Sequence, residues 1–246
     1  MSLKHLFLLS LLLISTASHA ATDAGISFFR FAPTEDFKQY IDRAYGVDVY
    51  GAWQPEESMF GIGGYFEYIP FDSTTESQRI NETGALSRFA IDVETKSNIY
   101  NFGLLLQALP FKDQVIQPYM EGQLGLIHIR TDSSATSQEG DDTPVFTSTN
   151  SSDTSFIYGY TFGLKVRLFS PKAKESRKSL RRRRSVYRSS ISTVYLDLKY
   201  RRFFSNSKSE FILPSSITRG SAPEDWTLVQ EKTTYETFHV GVSAIF

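Results

Sequence analysis

Apolar and polar residues alternate along most of this chain of 246 residues. The clearest run is SFIYGYTFGLKVRLF, from Ser155 to Phe169. Phe156, Tyr158, Tyr160, Phe162, Leu164, Val166 and Leu168 share one face, while Ile157, Gly159, Thr161, Gly163, Lys165 and Arg167 share the other. A period of two is strand geometry, with the two faces in different surroundings. TVYLDLKYRR repeats it, with Val194, Leu196, Leu198 and Tyr200 against Tyr195, Asp197, Lys199 and Arg201. Weaker runs start near Tyr45, Phe60, Asn98 and Gln117, and the chain closes on TFHVGVSAIF. GISFFRF, from Gly25 to Phe31, has aromatics on both faces and Arg30 in phase with Ile26 and Phe28. A bulge is expected to reset its register. The count is eight strands, and the fold class is all-β.

The two ends change the picture. MSLKHLFLLSLLLISTASHA has a basic start, an apolar run and a small-x-small ending. It reads as a signal peptide over residues 1–20, leaving 21–246 as one domain. No cysteine is present, so an exported fold cannot rest on disulfides or a thiolate metal site. At the other end Phe238, Val240, Val242, Ala244 and the terminal Phe246 share a face. A last strand that ends on an aromatic, with apolar residues at every second position, resembles the assembly signal of bacterial outer-membrane β-barrels. A soluble sandwich or an eight-stranded calyx for an apolar ligand would alternate too. Charges on the minority face of several strands suit the calyx less well.

The whole pattern resembles the small outer-membrane barrels, such as the transmembrane domain of outer-membrane protein A and the opacity-type surface proteins. The resemblance implies an eight-stranded antiparallel up-and-down transmembrane β-barrel. It implies a monomer in the outer membrane, among its lipids and lipopolysaccharide, inserted by the barrel-assembly machinery through Phe246. It implies termini in the periplasm, short inward turns and long extracellular loops at about 33–43, 71–96, 131–153 and 205–230. The apolar faces then meet lipid and the charges face the interior. Asp48, Glu67, Glu121 and Asp197 would oppose Lys165, Arg167, Lys199 and Arg201 in a lumen narrow enough for side chains to fill. These families point to a non-enzymatic surface or envelope role, with no cofactor and no metal. Two alternatives stay open: a lipid A-modifying enzyme and a narrow channel for small apolar solutes.

Charge is unevenly spread. Residues 172–188 hold nine Lys or Arg and one Glu, including Arg181, Arg182, Arg183 and Arg184. Placed on a periplasmic connection at 170–190, they are expected to meet anionic phospholipid, or an acidic periplasmic protein. Nucleic acid is excluded by compartment, and Tyr187 alone offers a stacking ring. Residues 131–153 carry five acids and no base, and their Ser/Thr-rich run reads as a mobile loop. For ester chemistry, His128 followed by Ser133 is the weak catalytic pair. His239 falls on the lumen face.

Overall fold

The computed structural model describes residues 20–246 apart from 56–57, 82–87, 112–113, 138–143, 171–192, 214–215 and 217–225. Residues 1–19 of the expected signal peptide and the basic stretch with Arg181 to Arg184 therefore lie outside the described residues. Ten strands follow in order: β1 (Ala20–Pro33), β2 (Ala44–Pro55), β3 (Phe60–Asn81), β4 (Arg88–Ala108), β5 (Ile116–Ser137), β6 (Pro144–Phe169), β7 (Thr193–Ser205), β8 (Lys208–Ile212), β9 (Leu228–Lys232) and β10 (Tyr235–Ile245). Eight of them close into a barrel in the order β1-β10-β7-β6-β5-β4-β3-β2. Every pair in the ring is antiparallel.

The seam is β1 against β10, in register from Asp23 opposite Ile245 to Pro33 opposite Tyr235. Beyond it the Phe246 N–H donates to the Thr22 carbonyl at 3.0 Å. Closure matters because an open sheet would leave a row of unpaired backbone groups at each edge. The start of β1 and the end of β10 share one end of the barrel with the ends of β2, β4 and β6, called here the turn end. The ends of β1, β3, β5 and β7 share the other, called here the loop end.

Several expectations need correction. The pairing of β1 is unbroken on both sides, with no bulge. Phe29 and Phe31 point inward, and Arg30 stands outside with Ile26 and Phe28. The sequence is ambiguous because the inward aromatics belong to an interior cluster rather than to the apolar outer face. The described residues of the spans 71–96 and 131–153 are strand rather than loop. Strands β3 to β6 run on past the barrel as a four-stranded wall. Hydroxyl pairs cross that wall, Thr95 Oγ1 to Ser133 Oγ and Ser97 Oγ to Thr131 Oγ1, each at 2.7 Å. Ser and Thr here serve as cross-strand partners, not as turn formers. The span 205–230 contains the β8–β9 hairpin, which leans inward through Ser209 Oγ to Ser155 Oγ at 2.9 Å. Residues 33–43 hold a short 3-10 helix, Glu35–Gln39, whose Phe37 is fully buried.

Glycines make room inside. Four inward aromatics each lie over a glycine directly opposite on the next strand: Tyr50 over Gly25, Phe29 over Gly46, Tyr119 over Gly163 and Phe203 over Gly159. A Cβ on Gly163 would stand 2.1 Å from Tyr119 Cζ, whereas one on Gly51 would meet nothing within 4 Å. Gly163→Ala is expected to destabilise the folded barrel by about 1–3 kcal/mol through overpacking. Gly51→Ala should be neutral or stabilising by up to about 1 kcal/mol. Denaturant titration of the refolded protein in lipid vesicles checks both.

Candidate functional site: the charged lumen and its aromatic cap

Within the barrel the inward positions sort into two levels. The level toward the termini is ionic. Arg201, on β7, reaches across the lumen to three other strands. Its Nη1 lies 2.5 Å from Glu67 Oε1 on β3 and 3.2 Å from Asp48 Oδ1 on β2, and its Nη2 lies 3.5 Å from Glu121 Oε2 on β5. Lys199 Nζ adds a second contact to Asp48, at 2.5 Å. Lys165 is paired with Asp23. All of these side chains are excluded from solvent.

Seven of the eight charges assigned to the lumen by alternation are buried in it: Asp48, Glu67, Glu121, Lys165, Asp197, Lys199 and Arg201. The eighth, Arg167, keeps the same register, opposite buried Tyr195, but stands half-buried at the turn end, where its Nη2 donates to the Gln114 carbonyl at 3.0 Å. Asp23 takes a place as well. The first strand's confusing aromatics hid the odd-numbered series to which Asp23 belongs. Five buried carboxyls thus face three buried bases among the described residues. The anionic excess is met by neutral donors. Tyr50 OH and Tyr119 OH donate to Asp197 at 3.2 and 2.7 Å, Asn101 Nδ2 to Glu67 at 2.7 Å, and Gln123 Nε2 to Glu121 at 2.9 Å. A buried charge is tolerable only when its remaining lone pairs are occupied in this way. His239 lies in the same level, between the Ser27 and Thr237 hydroxyls at 3.0 and 2.7 Å.

Toward the loop end the lumen becomes apolar. Arg201 lies over the rings of Tyr65 and Phe203, at 5.2 and 5.7 Å from their centroids. From there rings follow one another: Phe203 to Tyr235 at 5.2 Å, Tyr235 to Phe31 at 4.9 Å, Phe31 to Phe37 at 6.4 Å and Phe37 to Phe211 at 5.7 Å. Ile69, Ile99, Ile127, Ile129 and Ile157 pack around them. Phe37 comes from the 3-10 helix and Phe211 from β8, so two connections cap the barrel. Sequence alternation does not reveal the cap, because each connection contributes a single fully buried aromatic to it.

His128 and Ser133 are not brought together. His128 stands on the outer face, where its Nδ1 meets Thr154 Oγ1 at 2.9 Å. Ser133 has the opposite parity, and its Oγ meets Thr95 and Asn150, each at 2.7 Å. The pairing of these two residues is corrected on that ground.

No family model and no curated protein matches the chain. Solved structures do. One is Ail, the attachment invasion locus protein of Yersinia pestis, at 15% identity over 93% of this chain and 99% of that one, with a TM-score of 0.41. Neisserial surface protein A is 12% identical over 92% and 97%, with a TM-score of 0.42. The outer membrane protein OprG from Pseudomonas aeruginosa is 13% identical over 93% and 96%, with a TM-score of 0.40. The eight-stranded barrel is read from its own closed antiparallel ladder.

The lumen's contribution is open to direct measurement. Arg201→Met leaves three buried carboxyls without their shared cation and should cost about 3–5 kcal/mol of folding stability. Lys96→Met removes an exposed partner of Glu94, 2.7 Å away, and should cost less than about 1 kcal/mol. Equal losses in a denaturant titration would show that the network is not what holds the barrel.

Proposed function

We propose that the protein is a non-enzymatic barrel of the bacterial outer membrane, exported by its leader and acting at the cell surface or in envelope integrity. The observation that carries this reading is the inversion of its faces. Charges fill the interior, and large apolar side chains cover the outside. Phe28, Ile62, Leu104, Leu124, Phe162 and Val240 are all exposed. On water, an apolar surface that runs right round a barrel would drive association. In lipid it is the expected solvent-facing side.

The dimensions support the same reading. The outward series from Ile116 to Leu126 on β5 and from Phe238 to Phe246 at the C-terminus match the ~9–11 residues that a tilted strand needs to cross the hydrocarbon. Tyr45, Tyr68 and Tyr100 stand toward the loop end of the belt, and Trp53, Phe60 and Phe246 toward the other. Rings at both edges suit the two membrane interfaces. No helix among the described residues is long and apolar enough to span, so the crossing elements of this reading are strands. A conducting role would require the aromatic cap and the Arg201 level to move aside. The assembly machinery and lipopolysaccharide remain the partners of this reading. Anionic phospholipid is proposed for Arg181 to Arg184, with a periplasmic protein as the other candidate.

One substitution separates a membrane barrel from a soluble one. Leu104 is exposed and lies opposite Gly64 and Leu124, within the belt. At a water-exposed site Leu104→Arg should change stability by no more than about 0.5 kcal/mol. Facing the bilayer interior it should cost about 2–4 kcal/mol. The measurement is a folding titration in phospholipid vesicles, beside fractionation of cells that express the full chain. Recovery of the wild type with soluble periplasmic proteins would refute the membrane reading.

A further inference from the structure

Cations stand along the loop-end edge of the apolar belt. Three of them have a carboxylate beside them. Arg202 lies 3.4 Å from Glu236 and 3.8 Å from Glu35, Arg130 lies 2.7 Å from Asp132, and Lys96 lies 2.7 Å from Glu94. On the β1–β2 side the pattern breaks. Arg30, Lys38 and Arg43 are exposed, and among the described residues none of the three is in an ion pair.

Two of them flank the end of one ladder. Arg30 on β1 faces Tyr45 on β2, and the pairing ends with Phe31 opposite Ala44, the residue that follows Arg43. A cleft of about 680 Å³ opens beyond that end, lined by Ala32, Thr34, Glu35, Lys38, Asp42 and Arg43 among others, with Arg30 one outward position below Ala32 on β1. The Thr34 hydroxyl is buried at its edge and has no hydrogen-bond partner. Of the two acids, Glu35 reaches toward Arg202. Asp42 lies toward β3, where partial burial and, more weakly, Asp42's charge push the Asp72 carboxyl above its ordinary range.

Directly below, on the same face, the surface turns apolar. Phe28 is two residues from Arg30 and 72% exposed, and Tyr45 is 74% exposed. A ligand that fits has an anionic head at Arg30 and Arg43 and apolar tails along Phe28 and Ile26. We propose that this corner is a binding site for the phosphate head of a membrane lipid, held by Arg30, Arg43 and Lys38, with its acyl chains on the β1 outer face. Guanidinium pairs suit a phosphomonoester because each planar fork can engage two of its oxygens. This site rests on the membrane reading above.

The test uses the full-length protein refolded into phosphatidylcholine vesicles doped with phosphatidic acid, a lipid with a phosphomonoester head. After detergent extraction, native mass spectrometry reads the ratio of phosphatidic acid to phosphatidylcholine retained on the folded barrel. Wild type should be enriched in phosphatidic acid. Arg30→Gln with Arg43→Gln should lower the enrichment by about fivefold per charge removed. Arg202→Gln should leave it unchanged, because Arg202 is already engaged by Glu236 and Glu35. Millimolar inorganic phosphate should not displace the lipid. An unchanged ratio in the double variant, when both proteins still run as heat-modifiable folded species, would overturn the site. Displacement by inorganic phosphate would show a site for free phosphate instead. A wild-type chain that fails to float with vesicles would refute the membrane reading itself, and this inference with it.

Discussion

Arg201 is the side chain on which the interior of the barrel depends. From β7 it contacts carboxylates on β2, β3 and β5, and it lies over two aromatic rings on the way. An eight-stranded barrel is too narrow to keep a water-filled centre around such groups, so each charge must find its counterpart across the lumen. That requirement also fixes register. Side chains alternate with a period of two, so a slip of one residue in β2 would send Asp48 to the outer face and Val47 or Val49 inward. The partners would then lose their cation, and a carboxylate would enter the apolar belt. One network therefore penalises misregistration in four strands at once.

The two levels of the lumen divide the work. The ionic level has little freedom to rearrange, because each carboxylate meets a base, an amide or a phenol within hydrogen-bond distance. The aromatic level does not need that precision. It excludes water from the loop end and lowers the dielectric around Arg201, which strengthens every contact below it. Its uppermost members, Phe37 and Phe211, sit in connections rather than barrel strands. Those connections are thereby held over the mouth, and the chain between β7 and β10 has a packing reason to form a hairpin.

Alternation was enough to read the barrel and most of its interior. Lys165, Asp197, Lys199 and Arg201 lie in runs where the outward face is uniformly apolar, so their direction was unambiguous. Asp23 escaped because β1 carries Phe29 and Phe31 inward and Arg30 outward, which reverses the usual correlation of charge with interior. Arg167 keeps the inward register, opposite Tyr195, but it is the last such position of β6 and so stands at the turn end rather than inside the network. The wall of β3 to β6 was hidden for another reason. Its Ser and Thr residues have both turn and strand uses, and only the cross-strand pairs of Thr95 with Ser133 and Ser97 with Thr131 decide between them. The cap was illegible because Phe37 and Phe211 are far apart in sequence and meet only after closure.

The wall makes the loop end lopsided, and the charges follow its shape. On the tall side, a groove above the belt is lined by Glu94, Lys96, Arg130 and Asp132, and its ion pairs are made within the groove. Such a surface has little net field to attract a charged partner, and what it offers instead is a row of hydroxyls from Ser133, Ser134, Thr147, Ser148 and Thr149. On the short side the backbone stops sooner, and Arg30 and Arg43 lie close to the apolar belt, in no ion pair among the described residues. Hydrogen bonding by neutral groups and attraction by unpaired cations are thus separated around the barrel's circumference. The separation follows from strand length: where strands run on, the outward residue two positions away on the same strand supplies the carboxylate, Glu94 for Lys96 and Asp132 for Arg130, and where they end at the belt, the last outward cation meets the surrounding medium.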